Sequence, residues 1–300
     1  MEYPIIRTIA LGLVFAFSLT QCKPKSNSDE ETLLLLAAAA SKICVNNSYT
    51  GTTVSNSTAT LDTNTDCITG MTSSMSADLP AWIRNNFKCS VGSVSGSNYV
   101  FRSQNIPNNK SFYFGSSSPM YVALAGGQKS AGNNQIASQC MVYSIPSSPA
   151  AKSGALVGTQ SGYASVGITV NGLAIFNNAA AAPDTLATEA QTFDTFNGHP
   201  QNSGVYHHHS QPLNISNNNS NLIGILLDGF AVYGRDCTNA SNVTSTPTIG
   251  SDLDANHGHT TTTLHFATAT YHYHYTSDPT ATIPTLIGSY FYGTPGTISN

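Results

Sequence analysis

All nine histidines of the 300-residue chain lie between His199 and His274, and six of them fall in a pattern that the chain writes twice. The first copy reads Asn197-Gly198-His199, Tyr206-His207-His208-His209, Leu222-Ile223-Gly224 and Tyr233-Gly234. The second reads His257-Gly258-His259, Tyr271-His272-Tyr273-His274, Leu286-Ile287-Gly288 and Tyr292-Gly293. One order, kept through an insertion and a deletion of similar size, predicts an internal duplication of a structural unit. The stretch 270–276 is rich in tyrosine and threonine and shows no 3.6-residue period, which predicts strand. Residues two apart on a strand share a face, roughly 6.6 Å apart along it. His207 therefore sits beside His209 and His272 beside His274, while Tyr206, His208, Tyr271, Tyr273 and Tyr275 face the other way.

A third imidazole, from His199 or His259 on its glycine-flanked turn, completes a set of three with an open fourth position. That donor set suits zinc and also copper, iron or nickel. His199, His207, His209, His259, His272 and His274 are thus the candidate ligands, and copper or zinc the expected ion. Asp194, Asp228 and Asp254 are candidate acceptors that orient the imidazoles, although Asp228 before Gly229 reads equally as a turn former. His208, His257 and His265 have no repeat-matched partner and read as ordinary hydrogen-bonded residues. Whether the histidines form one shared site or two pockets about a pseudo-twofold axis is left open by spacing alone.

Charged residues make up 9% of the chain, against about 25% in typical soluble domains. Asn, Ser, Thr and Gly take their place between short apolar runs, which predicts a β-rich extracytoplasmic protein. Beyond Lys152 the only basic side chain is Arg235, against Asp184, Glu189, Asp194, Asp228, Asp236, Asp252, Asp254 and Asp278. Nucleic acid, which needs a basic surface, is excluded as a partner, and a cation is favoured. Glu189 is the only glutamate after Glu31, and no His-Glu-x-x-His supplies a hydrolytic base.

Arg7 precedes an apolar stretch from Ile9 to Leu19, too short to span a bilayer and suited to a signal-peptide core. Leu19-Thr20-Gln21-Cys22 resembles a bacterial lipobox of the permissive spirochaete type, with Cys22 as the lipidated residue. The expected organisation is a signal peptide over 1–21, a lipidated, loosely ordered tether over 22–76, and a β domain over 77–300. Membrane contact is then through the lipid anchor alone, at the outer membrane or in the periplasm, with an ordinary secreted protein as the alternative if Cys22 is not lipidated. An oxidising compartment permits disulfides, and Cys89 with Cys140 is the favoured pair. The fold expected is mainly β, an antiparallel sandwich or barrel-like domain with few short helices. One helix starts after Asp78 as cap, with Trp82, Ile83 and Phe87 on one side. Gly167 to Phe176 reads as a hairpin turning at Asn171-Gly172, and Leu222 to Leu227 as a strand buried on both faces.

These residues resemble the YHYH-domain family, named for the motif standing here as Tyr271-His272-Tyr273-His274. The resemblance runs roughly over 80–295 and takes in Ile106-Pro107-Asn108-Asn109, Ile145-Pro146, Val170-Asn171-Gly172, Asn197-Gly198-His199-Pro200, Gly204 to His209, Leu227 to Gly234 and Asp252-Leu253-Asp254. It implies an uncharacterised extracytoplasmic β-rich domain. His208 stands where the family name puts tyrosine, Phe196 and Ala255 where similar sequences often carry cysteine, and Asn109 where some carry histidine. Three functions follow as expectations. The first is an envelope lipoprotein that binds or scavenges copper or zinc; the second is a metal-dependent extracytoplasmic enzyme. The third is a protein- or glycan-binding adhesion module whose histidines serve the fold.

Overall fold

The computed structural model describes residues 67–68, 71–159, 165–213, 215, 221–276 and 288–300. Cys22, the expected signal peptide and the part of the expected tether ahead of Cys67 lie outside the described residues, as do Leu286 and Ile287. The described chain is mainly β, in three open sheets. One holds five strands in the order β1 (Ser74–Met75), β2 (Val91–Ser95), β3 (Asn98–Ser103), β4 (Met141–Pro146) and β15 (Thr297–Ser299).

The larger sheet has eight strands: β5 (Gly167–Thr169), β6 (Ala174–Ile175), β7 (His199–Pro200), β8 (Tyr206–His208), β9 (Leu222–Leu226), β10 (Ala231–Tyr233), β13 (Gly258–Thr261) and β14 (Thr270–His274). Their spatial order is β13-β14-β10-β9-β5-β6-β8-β7. A small sheet pairs β11 (Cys237–Thr238) with β12 (Thr244–Ser245). Among the described residues helix is confined to single turns, α1 (Ala81–Arg84), α2 (Leu186–Glu189) and a 3-10 turn at Ala190–Thr192.

The alternation in β4 places Met141, Tyr143 and Ile145 inward. They meet Phe101, Leu79, Ile83 and Phe87 from the smaller sheet's side and Ile168, Ile175, Ile223, Ile225 and Val232 from the larger sheet, so the two sheets bury a common core. β9 is buried along its whole length, as its unbroken apolar run predicts. Tyr271, Tyr273 and Tyr275 point into this core, which leaves the alternate positions of β14, the histidines, on the opposite face.

Four expectations need correcting. The sheets are mixed: β1 with β2, β6 with β8, and β10 with β14 pair in parallel. No barrel closes, because the edge strands β13 and β7 lie at opposite ends of the order and β7 ends in Pro200, which has no N–H to extend a ladder. Cys89 is bonded to Cys67 and not to Cys140, which is itself disulfide-bonded. The helix after Asp78 begins later than expected, with Pro80 in the cap position and no side-chain cap, the fixed φ of proline suiting entry to a first turn.

The eight strands read alike from the two ends toward the middle. β7 and β13 are the edges, antiparallel to β8 and β14. β8 and β14 then run parallel to β6 and β10, whose hairpin partners β5 and β9 meet antiparallel at the centre. Both hairpins turn the same way. Thr169 N donates to Leu173 O and Gly172 N to Thr169 O; Leu226 N donates to Phe230 O and Gly229 N to Leu226 O. This is a three-residue loop closed by a left-handed glycine, φ +81° at Gly172 and +91° at Gly229, in place of the two-residue turn expected from Asn171-Gly172. In this arrangement 222–234 stands beside the second histidine hairpin as 167–176 stands beside the first. By order in the sequence alone, 222–234 closes the first copy.

Candidate metal centres

His199 on β7 is registered opposite His207 on β8, and His259 on β13 opposite His272 on β14. Each Gly-His strand is held by the same latch. Asp194 N donates to Gly198 O, while its Oδ1 accepts from Phe196 N and Gly198 N and its Oδ2 from the Tyr206 hydroxyl at 2.8 Å. In the second copy Asp254 N donates to Gly258 O, Oδ1 accepts from Asn256 N and Gly258 N, and Oδ2 accepts from the Tyr271 hydroxyl at 2.9 Å. A Cβ on Gly198 or Gly258 would fall onto the tyrosine of the latch. Asn197 and His257 hold φ of +60° and +64° at the same point of each loop.

The aspartates therefore shape the loops and do not touch the imidazoles, contrary to the role expected of them. Asp228 likewise accepts from the Tyr273 hydroxyl at 2.6 Å and from Gly293 N at 2.9 Å. Burial raises both Asp194 and Asp228 to about 6.

What orients the rings is main chain. His207 Nδ1 lies 3.0 Å from Val205 O, His209 Nδ1 2.7 Å from Asn177 O, His272 Nδ1 2.9 Å from Thr270 O and His274 Nδ1 2.8 Å from Gly234 O. A carbonyl oxygen only accepts, so each of these nitrogens carries the proton. His199 follows by one more link: Thr192 donates its hydroxyl hydrogen to Glu189 O at 2.7 Å, so its oxygen, 2.8 Å from His199 Nδ1, accepts. His259 also has a hydrogen bond with the Asp252 backbone.

Five Nε2 atoms are thereby left as bare lone pairs, and they converge with that of His259. His207 Nε2 stands 3.0 Å from both His199 Nε2 and His209 Nε2, and His259 Nε2 stands 3.1 Å from His272 Nε2. These are acceptor–acceptor contacts, not hydrogen bonds. Protons do not relieve them near neutral pH. Burial, with the neighbouring imidazoles, depresses His199 and His274 to about 3, and burial holds His209 and His272 at about 4.

A fourth donor joins each trio, and the expectation of an open fourth position gives way to two four-membered sets. Glu189 places Oε1 3.5 Å from His199 Nε2 and Oε2 3.6 Å from His209 Nε2. With neutral imidazoles these are not salt bridges. Cys237, a buried free thiol, places Sγ 3.6 Å from His272 Nε2. In each set the donor atoms all lie within 4.8 Å of one another. His274 Nε2 and Glu189 Oε2 are buried with no hydrogen-bond partner.

A tetrahedral ion with nitrogen donors at about 2.0–2.1 Å spaces them roughly 3.3 Å apart, and a thiolate at about 2.3 Å stands roughly 3.6 Å from a nitrogen neighbour. The residues fit a transition ion at both places. A bound zinc or copper would supply fixed positive charge and Lewis acidity, and copper one-electron chemistry besides. Aromatic rings seal each cluster: Phe176 stacks on His207 at 3.8 Å and Phe193 packs on His199 and His209, while Tyr233 packs on His272 and His274.

His208, His257 and His265 stand outside both sets, bonded to Asn197 O, Thr276 Oγ1 and the Tyr233 hydroxyl. β14 and β8 are five strand spacings apart in the sheet order, about 24 Å, so the clusters are two sites and not one shared site. Asn105 was not anticipated either. It bridges the parallel pair, Nδ2 donating to Tyr206 O and Oδ1 accepting from Ala174 N, both at 2.8 Å.

Residues 142–250 match the family model described as YHYH protein. The YHYH match contains the Glu189 cluster entire and Cys237, and stops short of His259, His272 and His274. It is narrower than the resemblance read over 80–295. No curated protein and no solved structure matches the chain.

Proposed function

We propose that the protein binds two transition metal ions, copper or zinc, one toward each edge of its eight-stranded sheet, and serves at the cell envelope to bind and scavenge them. The observation that carries this reading is the convergence of three imidazole Nε2 atoms in each cluster, with the Nδ1 of five of the six rings engaged elsewhere. Such an array stores acceptor–acceptor repulsion that a cation converts into ligation. Glu189 and Cys237 fill the fourth corner, and closed four-donor sets are the pattern of sites that hold a metal, whereas catalytic zinc sites keep one position for water. The envelope address draws support from the Cys67–Cys89 disulfide, which an oxidising compartment favours, and from the Leu19-to-Cys22 lipobox-like segment.

Equilibrium dialysis of the chelator-stripped, untagged chain against zinc tests the reading. Two equivalents are expected for the native chain and one each for His207→Ala and His272→Ala. Binding of no ion, or stoichiometry unchanged in both variants, defeats it.

A further inference from the structure

The two clusters share three imidazoles, main-chain clamps on the His-x-His rings and an aspartate–tyrosine latch, yet they differ in one donor atom. In both halves that donor comes from the crossover that leads from the hairpin to the Gly-His strand. The first crossover runs through α2 and ends that helix on Glu189; the second runs through β11 and opens it with Cys237. A carboxylate and a thiolate each bring one negative charge, so the sites are alike in charge and differ in softness.

We propose, on the metal-binding reading above, that the Cys237 centre is a copper site taking the cuprous ion and the Glu189 centre a zinc site. A thiolate suits Cu(I) as well as zinc, whereas a carboxylate with three imidazoles offers the cuprous ion no soft donor, so where both ions compete copper is placed at Cys237 and divalent zinc at Glu189. Three further observations support the Cys237 centre. The Sγ–Nε2 separation of 3.6 Å is the spacing a thiolate and an imidazole take around one ion. His274 Nε2 is buried, unpartnered and part of the same set. Cys67, Cys89 and Cys140 are all disulfide-bonded, while Cys237 is a free thiol. Loading is a ligand exchange without electron transfer: the thiol releases its proton to solvent as the sulfur–metal bond forms.

Cobalt(II) is the probe. The stripped full chain loaded with two equivalents of Co(II) is expected to show a thiolate-to-cobalt charge-transfer band in the near ultraviolet. Anaerobic titration with Cu(I) should remove that band within the first equivalent and leave one cobalt ion bound, which Zn(II) then displaces. Cys237→Ser should lack the band and keep one ion, and Glu189→Gln should keep the band. Two ions bound with no charge-transfer band, or Cu(I) displacing both cobalt ions without order, overturns the proposal while the metal-binding reading stands. No cobalt bound at all removes both. The native spectrum alone decides the thiolate question, so a variant that fails to fold does not leave it open.

Discussion

Gly198 and Gly258 are the residues on which each centre's geometry turns, because the hydroxyl end of Tyr206 or Tyr271 occupies the space a Cβ would need. Gly198→Ala is expected to push Tyr206 off Asp194, to lower stability by about 1–3 kcal/mol as overpacked sites do, and to abolish zinc binding at the Glu189 centre alone; thermal melts and metal stoichiometry check both. Asn105→Ala should cost about 1–3 kcal/mol by leaving Tyr206 O and Ala174 N without their partner, read from urea unfolding. The histidines were legible in the sequence because period-2 spacing places imidazoles on one face whatever the fold. Glu189 and Cys237 were not, since each is separated in the chain from the histidines it faces and neither has a motif. Asp194 and Asp254 matter for another reason than the sequence suggests: each Asp-x-x-x-Gly closes a loop, and the acceptors for the four His-x-His imidazoles are carbonyls, which every residue possesses and no sequence pattern reveals.

Among the elements, the two central hairpins set where β6 and β10 lie, and through them the parallel strands that carry His-x-His. Gly172 and Gly229 hold positive φ, and a Cβ there would stand 2.6 Å from Cys89 O and 2.5 Å from Pro146 O. Gly229→Ala is expected to cost at least about 1–2 kcal/mol from the left-handed backbone alone, with the backbone contact adding to it, and to weaken the Cys237 centre more than the Glu189 centre; differential zinc affinity measures this. Reduction of the Cys67–Cys89 bond should lower stability by about 2–4 kcal/mol without changing metal stoichiometry, because neither cysteine belongs to a cluster. Hairpins and strands were readable from Asn-Gly, Asp-Gly and the apolar runs. Their pairing was not: parallel partners such as β6 with β8 and β10 with β14 are joined through long crossovers, and local patterns carry no register across them.

At the scale of the whole molecule, the ions and the fold are one system. The clusters lie toward the two edges of the larger sheet, about 24 Å apart by strand count, and each ties an edge hairpin to the crossover that covers it. A metal held at a thousandfold above its Kd adds about 4 kcal/mol per site to stability, so chelation should lower the melting temperature in two separable steps. Acid acts on the metal-free chain in a definite direction. His199 and His274 titrate at about 3 and His208, His209 and His272 at about 4 in the folded chain, against roughly 6.5 when unfolded. Below that pH the unfolded chain takes up protons the folded one refuses, so stability present above about 6.5 is lost as pH falls toward the folded values. Asp194 and Asp228, raised to about 6, oppose this: they add stability as pH falls through that value, completely so below roughly 3.8. Burial lowers His207, His259 and His265 as well and raises Glu189, so the depressed histidines outnumber the raised carboxyls, and melts of the stripped chain from pH 7 to 4 should show a net fall.

The decisive measurement is an anomalous difference map from crystals of the metal-loaded protein, recorded across the zinc and copper edges. Two peaks are expected, one within bonding distance of His199, His207, His209 and Glu189 and the other of His259, His272, His274 and Cys237. A loaded crystal with no peak at either cluster, or with its ions on surface residues elsewhere, contradicts the reading that these imidazoles exist to hold metal.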